Sequence, residues 1–138
     1  SIKAKNRPYV ILTSNRTREL SDAVRRRCFY LWMDYPEFKK ELAILKSKVP
    51  DCDLRLAKQI CIFMELVRRQ KLEKVPGIAE TLDWARSLVT LHQKHLDPKI
   101  VETTLGIVFK DKIDVTNIKD SLADFFKKVD ARFKELPE

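Results

Sequence analysis

The sequence predicts a mainly α-helical protein with two short strands near its amino end. Two unbroken apolar runs, Tyr9–Leu12 and Cys28–Met33, suit strands that are covered on both faces, as in a parallel sheet. From residue 36 onward, apolar residues instead recur at helical spacing. We therefore expect residues 1–35 to form the end of an α/β core and residues 36–138 to form a helical domain.

Start and stop signals divide the second region into helices. Pro36 and Glu37 suit the first turn of a helix that Pro50 ends. Asp51 or Asp53 can cap the next helix, whose wide apolar face, from Leu56 to Val67, predicts the central helix of a bundle. That helix is expected to end in Arg68-Arg69-Gln70-Lys71, a charge pattern that suits the carboxyl end of a helix.

Three more helices are predicted. The third follows the linker LEKVPG and places Trp84 toward its flank, and the fourth starts at Asp97 and Pro98. Residues 110–115 are predicted to form a charged connection, and one last helix is expected from about Thr116 to Leu136. Such a bundle can bury a core by itself, whereas the strand segment cannot easily do so.

Composition limits the classes of function. The net charge of +8 permits binding to nucleic acid but does not establish it, because acidic residues are interspersed with the basic ones. Three Cys without a CxxC pair favour buried thiols in a reducing cytoplasm. No apolar run approaches the roughly 20 residues of a membrane span. The amino end lacks a signal segment and an initiating Met, which favours a piece of a longer protein.

Three stretches together resemble one family. The run ILTSN resembles the sensor 1 strand of an AAA+ ATPase, and LSDAVRRRCFYL resembles the stretch that carries the arginine finger. Further on, VPGIAETLDWARSLVTL is similar to the sensor 2 helix of the MoxR group, especially members linked to metalloenzyme maturation. The resemblance extends from about Pro8 to about Phe109, and it implies the end of an AAA+ core followed by its helical lid.

The resemblance assigns catalytic roles to three residues. Asn15 takes the sensor 1 position, where an amide orients the attacking water beside the γ-phosphate. Arg27, with Arg26 as the second choice, takes the position of the arginine finger that reaches a neighbouring subunit's phosphate. The simpler interpretations are a turn-forming Asn after a strand and cations that complement a helix dipole.

The sensor 2 region departs from the family pattern. Glu80 stands where MoxR relatives usually carry an Arg, and a carboxylate cannot neutralise a γ-phosphate. Arg86, nearly two turns further on, is a candidate to replace that nucleotide contact. Glu80 also suits the first turn of a helix without any ligand. His92 and His95 are expected to be exposed helix-end residues rather than metal ligands, and no metal site is predicted.

The family resemblance implies a cytoplasmic chaperone that couples ATP hydrolysis to remodelling or maturation of a protein complex. It implies a ring of six subunits, with ATP and Mg²⁺ bound in the intact protein, and partners such as a von Willebrand A domain protein and a metalloenzyme client. No GxxxxGK[ST] sequence or Walker B pair is present. The chain alone is therefore expected to bind no cofactor and to be inactive.

Two alternatives remain open. The arginine-cysteine stretch and the basic charge also suit a clamp-loader or DNA-remodelling AAA+ relative. A non-enzymatic helical adaptor that never contacts nucleotide is the third hypothesis. A Walker A and B sequence upstream of Ser1 would exclude the adaptor.

Overall fold

The computed structural model describes residues 5–14 and 20–136. By backbone contacts the chain divides into two units, Ser1–Met33 and Asp34–Glu138. The second unit contains all of the buried core of the described chain.

In the first unit the predicted strands are wrong. Its one described helix is α1, Asp22–Arg25, and no strand occurs among the residues that the structure describes. The apolar side chains of both runs are exposed, including Tyr9, Ile11 and Phe29. A strand needs a neighbouring strand to pair its N–H and C=O groups, and no such strand lies among the described residues.

Across residues 34–136, the second unit is a bundle of six helices. These are α2 (Phe38–Lys48), α3 (Leu54–Arg68), α4 (Ile78–Thr90), α5 (Pro98–Val108), α6 (Lys112–Asp120) and α7 (Leu122–Lys134). The expectation of a mainly α-helical fold is confirmed. So is the central helix, since α3 packs against α2, α4 and α7 and buries apolar side chains along its length.

Aspartates begin three of these helices. The Asp53 carboxylate accepts a hydrogen bond from the amide of Arg55, and the Asp97 carboxylate accepts from Lys99 and Ile100. Both helix starts were predicted from the sequence. A capping Asp accepts hydrogen bonds from first-turn amides, which have no partner inside the helix.

The predicted 110–115 connection and single last helix are wrong. Asp111 caps α6, whose first residue, Lys112, lies inside the expected connection. The expected long helix breaks at Ser121, whose amide bonds back to Asn117 and Ile118 while its carbonyl begins α7. The break lets α6 and α7 each contact α5 as well as one another.

Trp84 lies in the core, not on the flank where the spacing placed it. Its side chain is fully buried, it packs against Phe63 with ring centroids 5.2 Å apart, and its indole N–H donates to Thr104 Oγ1 at 2.9 Å. A buried indole needs an acceptor, and Thr104 on α5 supplies it. This contact fixes α4 against α5.

Candidate functional site

The candidate catalytic residues lie in the first unit. Asn15 lies outside the described residues. Arg26 and Arg27 follow α1 directly and are exposed, and the Arg27 amide donates to Val24 O at 3.1 Å. No ion pair joins either arginine to another residue in the described part of the chain. Their guanidinium groups are therefore available to an anionic partner.

The excess of positive over negative charge is concentrated in this unit rather than spread evenly along the chain. Residues 1–33 contain eight Lys and Arg but two acidic residues, whereas residues 34–138 contain twenty and eighteen. Most of the excess positive charge therefore lies in the first quarter of the sequence. A segment of this charge attracts anions such as phosphate.

Glu80 serves as a helix cap. Its carboxylate accepts a hydrogen bond from the amide of Gly77 at 2.8 Å, just before α4 begins. Gly77 suits this turn because a Cβ there would lie 3.3 Å from Glu80 Oε2. The geometry agrees with the first-turn role that the sequence allowed for Glu80.

Arg86 lies on the exposed side of α4. Its guanidinium pairs with Asp83 Oδ1 at 3.0 Å, and both side chains are more than half exposed. Such a surface pair contributes little to stability, so Arg86 can exchange Asp83 for another anion. Arg86 and Glu80 both lie on α4, where they pair with different residues, Asp83 and Gly77.

The sequence did not identify the main polar site of the second unit, which is centred on Arg68. Its guanidinium forms a bidentate pair with Glu41 on α2, with N–O distances of 2.7 and 2.9 Å. It also donates to Pro76 O at 2.9 Å and to Gly77 O at 3.3 Å. The side chains of Arg68 and Glu41 are 7% and 2% exposed, so water does not screen the pair.

Two further side chains complete this site, which we call the arginine hub: Tyr35, Glu41, Arg68, Pro76, Gly77 and Thr81. Thr81 Oγ1 on α4 accepts from Arg68 at 2.9 Å and donates to Glu41 at 2.8 Å. The Tyr35 ring lies 4.9 Å from the guanidinium carbon, within range of a cation–π contact. The hub thus joins the first residues of the second unit to α2, α3 and the start of α4.

Arg68 was expected only as part of the basic pattern that ends α3, yet its side chain is buried and that of its neighbour Arg69 is not. Arg69 pairs with Glu65 one turn back, and its side chain is 64% exposed. The sequence signal for the difference is weak, because Arg68 lies 27 positions from Glu41. The one local hint is that Arg68 follows Val67 on the edge of the apolar face of α3.

Burial changes the chemistry of two cysteines. It raises the pKa of the Cys52 thiol to about 11. Burial also raises the pKa of Cys61, with a smaller contribution from the nearby negative charge of Glu41. Cys28 is exposed, and all three cysteines are free thiols. The expectation of buried thiols is therefore met at Cys52 and Cys61 and not at Cys28.

A groove of about 440 Å³ lies on the second unit between α2, α3 and α7. Its lining includes Phe38, Glu65, Arg132 and Leu136. The Arg132 guanidinium lies 3.7 Å from Glu65 Oε2, too far for a hydrogen bond. None of the sequence-predicted site residues lines this groove.

His92 and His95 are exposed. In the part of the chain that the structure describes, no group of three or more His, Cys, Asp or Glu side chains is placed to hold a metal ion. Across residues 5–14 and 20–136, no helix combines the length and the apolar character needed to cross a bilayer.

Comparisons of the chain with protein-family models, curated proteins and solved structures gave no match.

Proposed function

We propose that this chain is the carboxyl-terminal portion of a MoxR-type AAA+ ATPase. One observation carries most weight. Nine apolar side chains in two non-helical segments of the first unit are exposed: Tyr9, Val10, Ile11, Leu12, Phe29, Tyr30, Leu31, Trp32 and Met33. So much contiguous apolar chain is unfavourable in water and favours burial against further protein. The missing strands of an AAA+ sheet are the proposed cover.

The proposed catalytic roles divide between two subunits. Asn15 is placed beside the γ-phosphate of its own subunit, where its amide orients the attacking water. Arg27 is placed against the phosphate of the neighbouring subunit, with Arg26 as the second choice. The exposure of both arginines and the excess positive charge of the first unit support this assignment.

The helical unit is proposed to act as the lid. The Glu80 carboxylate accepts a hydrogen bond from the Gly77 amide. The start of α4 therefore carries an acidic residue at the position where the family usually has a basic residue that contacts phosphate. Arg86 is the cation on α4 that can contact nucleotide in its place. The proposed machine is a cytoplasmic hexameric ring that binds ATP and Mg²⁺. It is proposed to remodel a metalloenzyme client with a von Willebrand A domain partner.

Mixed oligomers of the intact ATPase test the division of roles. Asn15→Ala subunits and Arg27→Ala subunits should each hydrolyse ATP poorly, while nucleotide binding stays nearly intact. Mixing them should restore some activity, because an Arg27→Ala subunit keeps Asn15 and can receive a finger from an Asn15→Ala neighbour. If mixed oligomers form and recover nothing above the parents, the two residues do not act at one interface.

The concentrated charge of the first unit favours a second candidate, a DNA-remodelling AAA+ relative. Titration of labelled single- and double-stranded DNA with the chain, followed by fluorescence anisotropy at several salt concentrations, separates the two. A DNA-binding relative loses affinity steeply as salt rises, and the loss becomes shallower when Arg25, Arg26 and Arg27 are replaced by Ala. The chaperone proposal expects no binding at physiological salt.

A further inference from the structure

We infer that Arg68 is a positioning residue that couples the entry of the helical unit to the first turn of α4. Only the consequence of this inference for ATP hydrolysis rests on the proposed function. Its geometric part concerns the second unit alone, in which Tyr35, Arg68 and Thr81 all lie. In that part, the arginine hub makes residues 34–37 and the start of α4 move together.

The hub uses the shape of the guanidinium. Nε bonds Pro76 O while Nη1 and Nη2 hold the two oxygens of Glu41, so one planar group fixes three directions. Nη2 also reaches Thr81 Oγ1 and Gly77 O. A lysine ammonium has three donors on a flexible stem and cannot reproduce this fork. Arginine is therefore required for the geometry, beyond its charge.

Two of the bonded groups are the backbone carbonyls that precede α4. Pro76 O and Gly77 O set where the helix starts, and the Gly77 amide is held in turn by Glu80. The amide of Thr81 then donates to Gly77 O at 3.3 Å as the first helical bond. The direction of α4 at its amino end consequently depends on Arg68.

Tyr35 supplies the other end of the coupling. It follows the unit boundary by two residues, is half exposed, and stacks on the same guanidinium at 4.9 Å. A shift of the chain at Tyr35 therefore acts on Arg68 directly, without passing through the residue 69–75 loop. This is the arrangement that a lid needs to turn as one body with its hinge.

Amide hydrogen exchange, resolved by NMR, tests the coupling in the purified chain. Arg68→Lys should speed exchange at the Gly77 and Thr81 amides by about tenfold or more, since hydrogen bonds to a charged group are lost. The Val101 amide, which bonds Asp97 O at the start of α5, should change little. Arg69→Lys is the matched control, because the adjacent arginine pairs only at the surface. Equal changes at Val101, or none at Gly77 and Thr81, would overturn the inference.

A second variant tests the link to the entry segment. Tyr35→Leu removes the aromatic face from Arg68 and should speed exchange at Gly77 and Thr81 through Arg68. In a background of Arg68→Lys, the same change should add little. If Tyr35→Leu leaves the exchange rates of the Gly77 and Thr81 amides unchanged, the coupling is overturned.

The functional consequence is read in the intact ATPase. Arg68→Lys should lower kcat with the KM for ATP nearly unchanged, and Arg69→Lys should alter neither. An unchanged kcat with the expected exchange pattern would overturn the functional consequence of the hub. An intact protein that hydrolyses no ATP would instead overturn the proposed function, while the exchange experiment still decides whether Arg68 couples the two segments.

Discussion

The carboxylate of Glu41 and the guanidinium of Arg68 meet in a bidentate ion pair inside the helical bundle, at N–O distances of 2.7 and 2.9 Å. Neither side chain is solvated, so each charge depends on the other and on the hydrogen bonds around it. The pair joins α2 to α3, and Thr81 extends it to α4.

Breaking this pair should be costly. Glu41→Met leaves the Arg68 charge buried with neutral partners, and we expect a loss of about 3–5 kcal/mol in the free energy of unfolding, measured in urea. Arg69→Met, which removes an exposed pair, should cost less than about 1 kcal/mol. The double variant Glu41→Met/Arg68→Met should lose less than the two single losses together, and simple additivity would contradict a direct interaction.

The Trp84–Thr104 hydrogen bond gives a second stability prediction. Thr104→Val keeps the shape of the side chain but leaves the buried indole N–H without an acceptor, so we expect a loss of about 1–3 kcal/mol. Thr103→Val on the exposed face of the same helix is the control and should change stability by much less. Equal effects of the two changes would argue against the hydrogen bond.

Asp114 should hold the residue 72–75 loop. Its buried carboxylate accepts from the amides of Glu73 at 2.9 Å and Lys74 at 3.0 Å. Asp114→Ala should speed hydrogen exchange at those two amides and lower the free energy of unfolding by about 2–4 kcal/mol, since two donors lose their acceptor. Asp120→Ala, on the exposed side of α6, should leave both amides protected.

Alkaline pH should destabilise the chain through its buried thiols. The ordinary thiol pKa is 9.0, and burial raises the Cys52 pKa to about 11, so the unfolded chain loses this proton first. The stabilisation is complete below pH 9 and is lost as pH rises toward 11. Unfolding monitored by circular dichroism should show a steeper alkaline loss in the wild type than in Cys52→Ala. Matching slopes would contradict the role of this thiol.

The fold was predictable where the signal is local. Asp53, and Asp97 with Pro98, mark helix starts because caps act within one turn. The start of α6 was missed because Asp111 lies in a charged stretch that resembles a surface connection. Trp84 was misplaced because spacing on one helix does not reveal that a neighbour offers an acceptor for its indole.

In the candidate site, too, a local contact could be predicted and long-range contacts could not. The capping role of Glu80 could be predicted because its partner is three residues away. The arginine hub could not, because Arg68 meets Glu41 and Thr81 only after three helices have packed. The prediction of two strands was wrong for a related reason. An apolar run becomes a strand only when another strand pairs with it.

Steady-state phosphate release tests most directly whether Arg27 is the arginine finger of an ATPase. It should be measured on the proposed intact ATPase, on its Arg27→Ala variant, and on this chain alone. We expect ATP turnover by the intact ATPase, a fall of about 10³–10⁵ in the hydrolysis rate of Arg27→Ala as for an arginine finger, and no turnover by the chain alone. An intact protein that has no ATPase activity, or whose rate Arg27→Ala leaves unchanged, would contradict the proposed function.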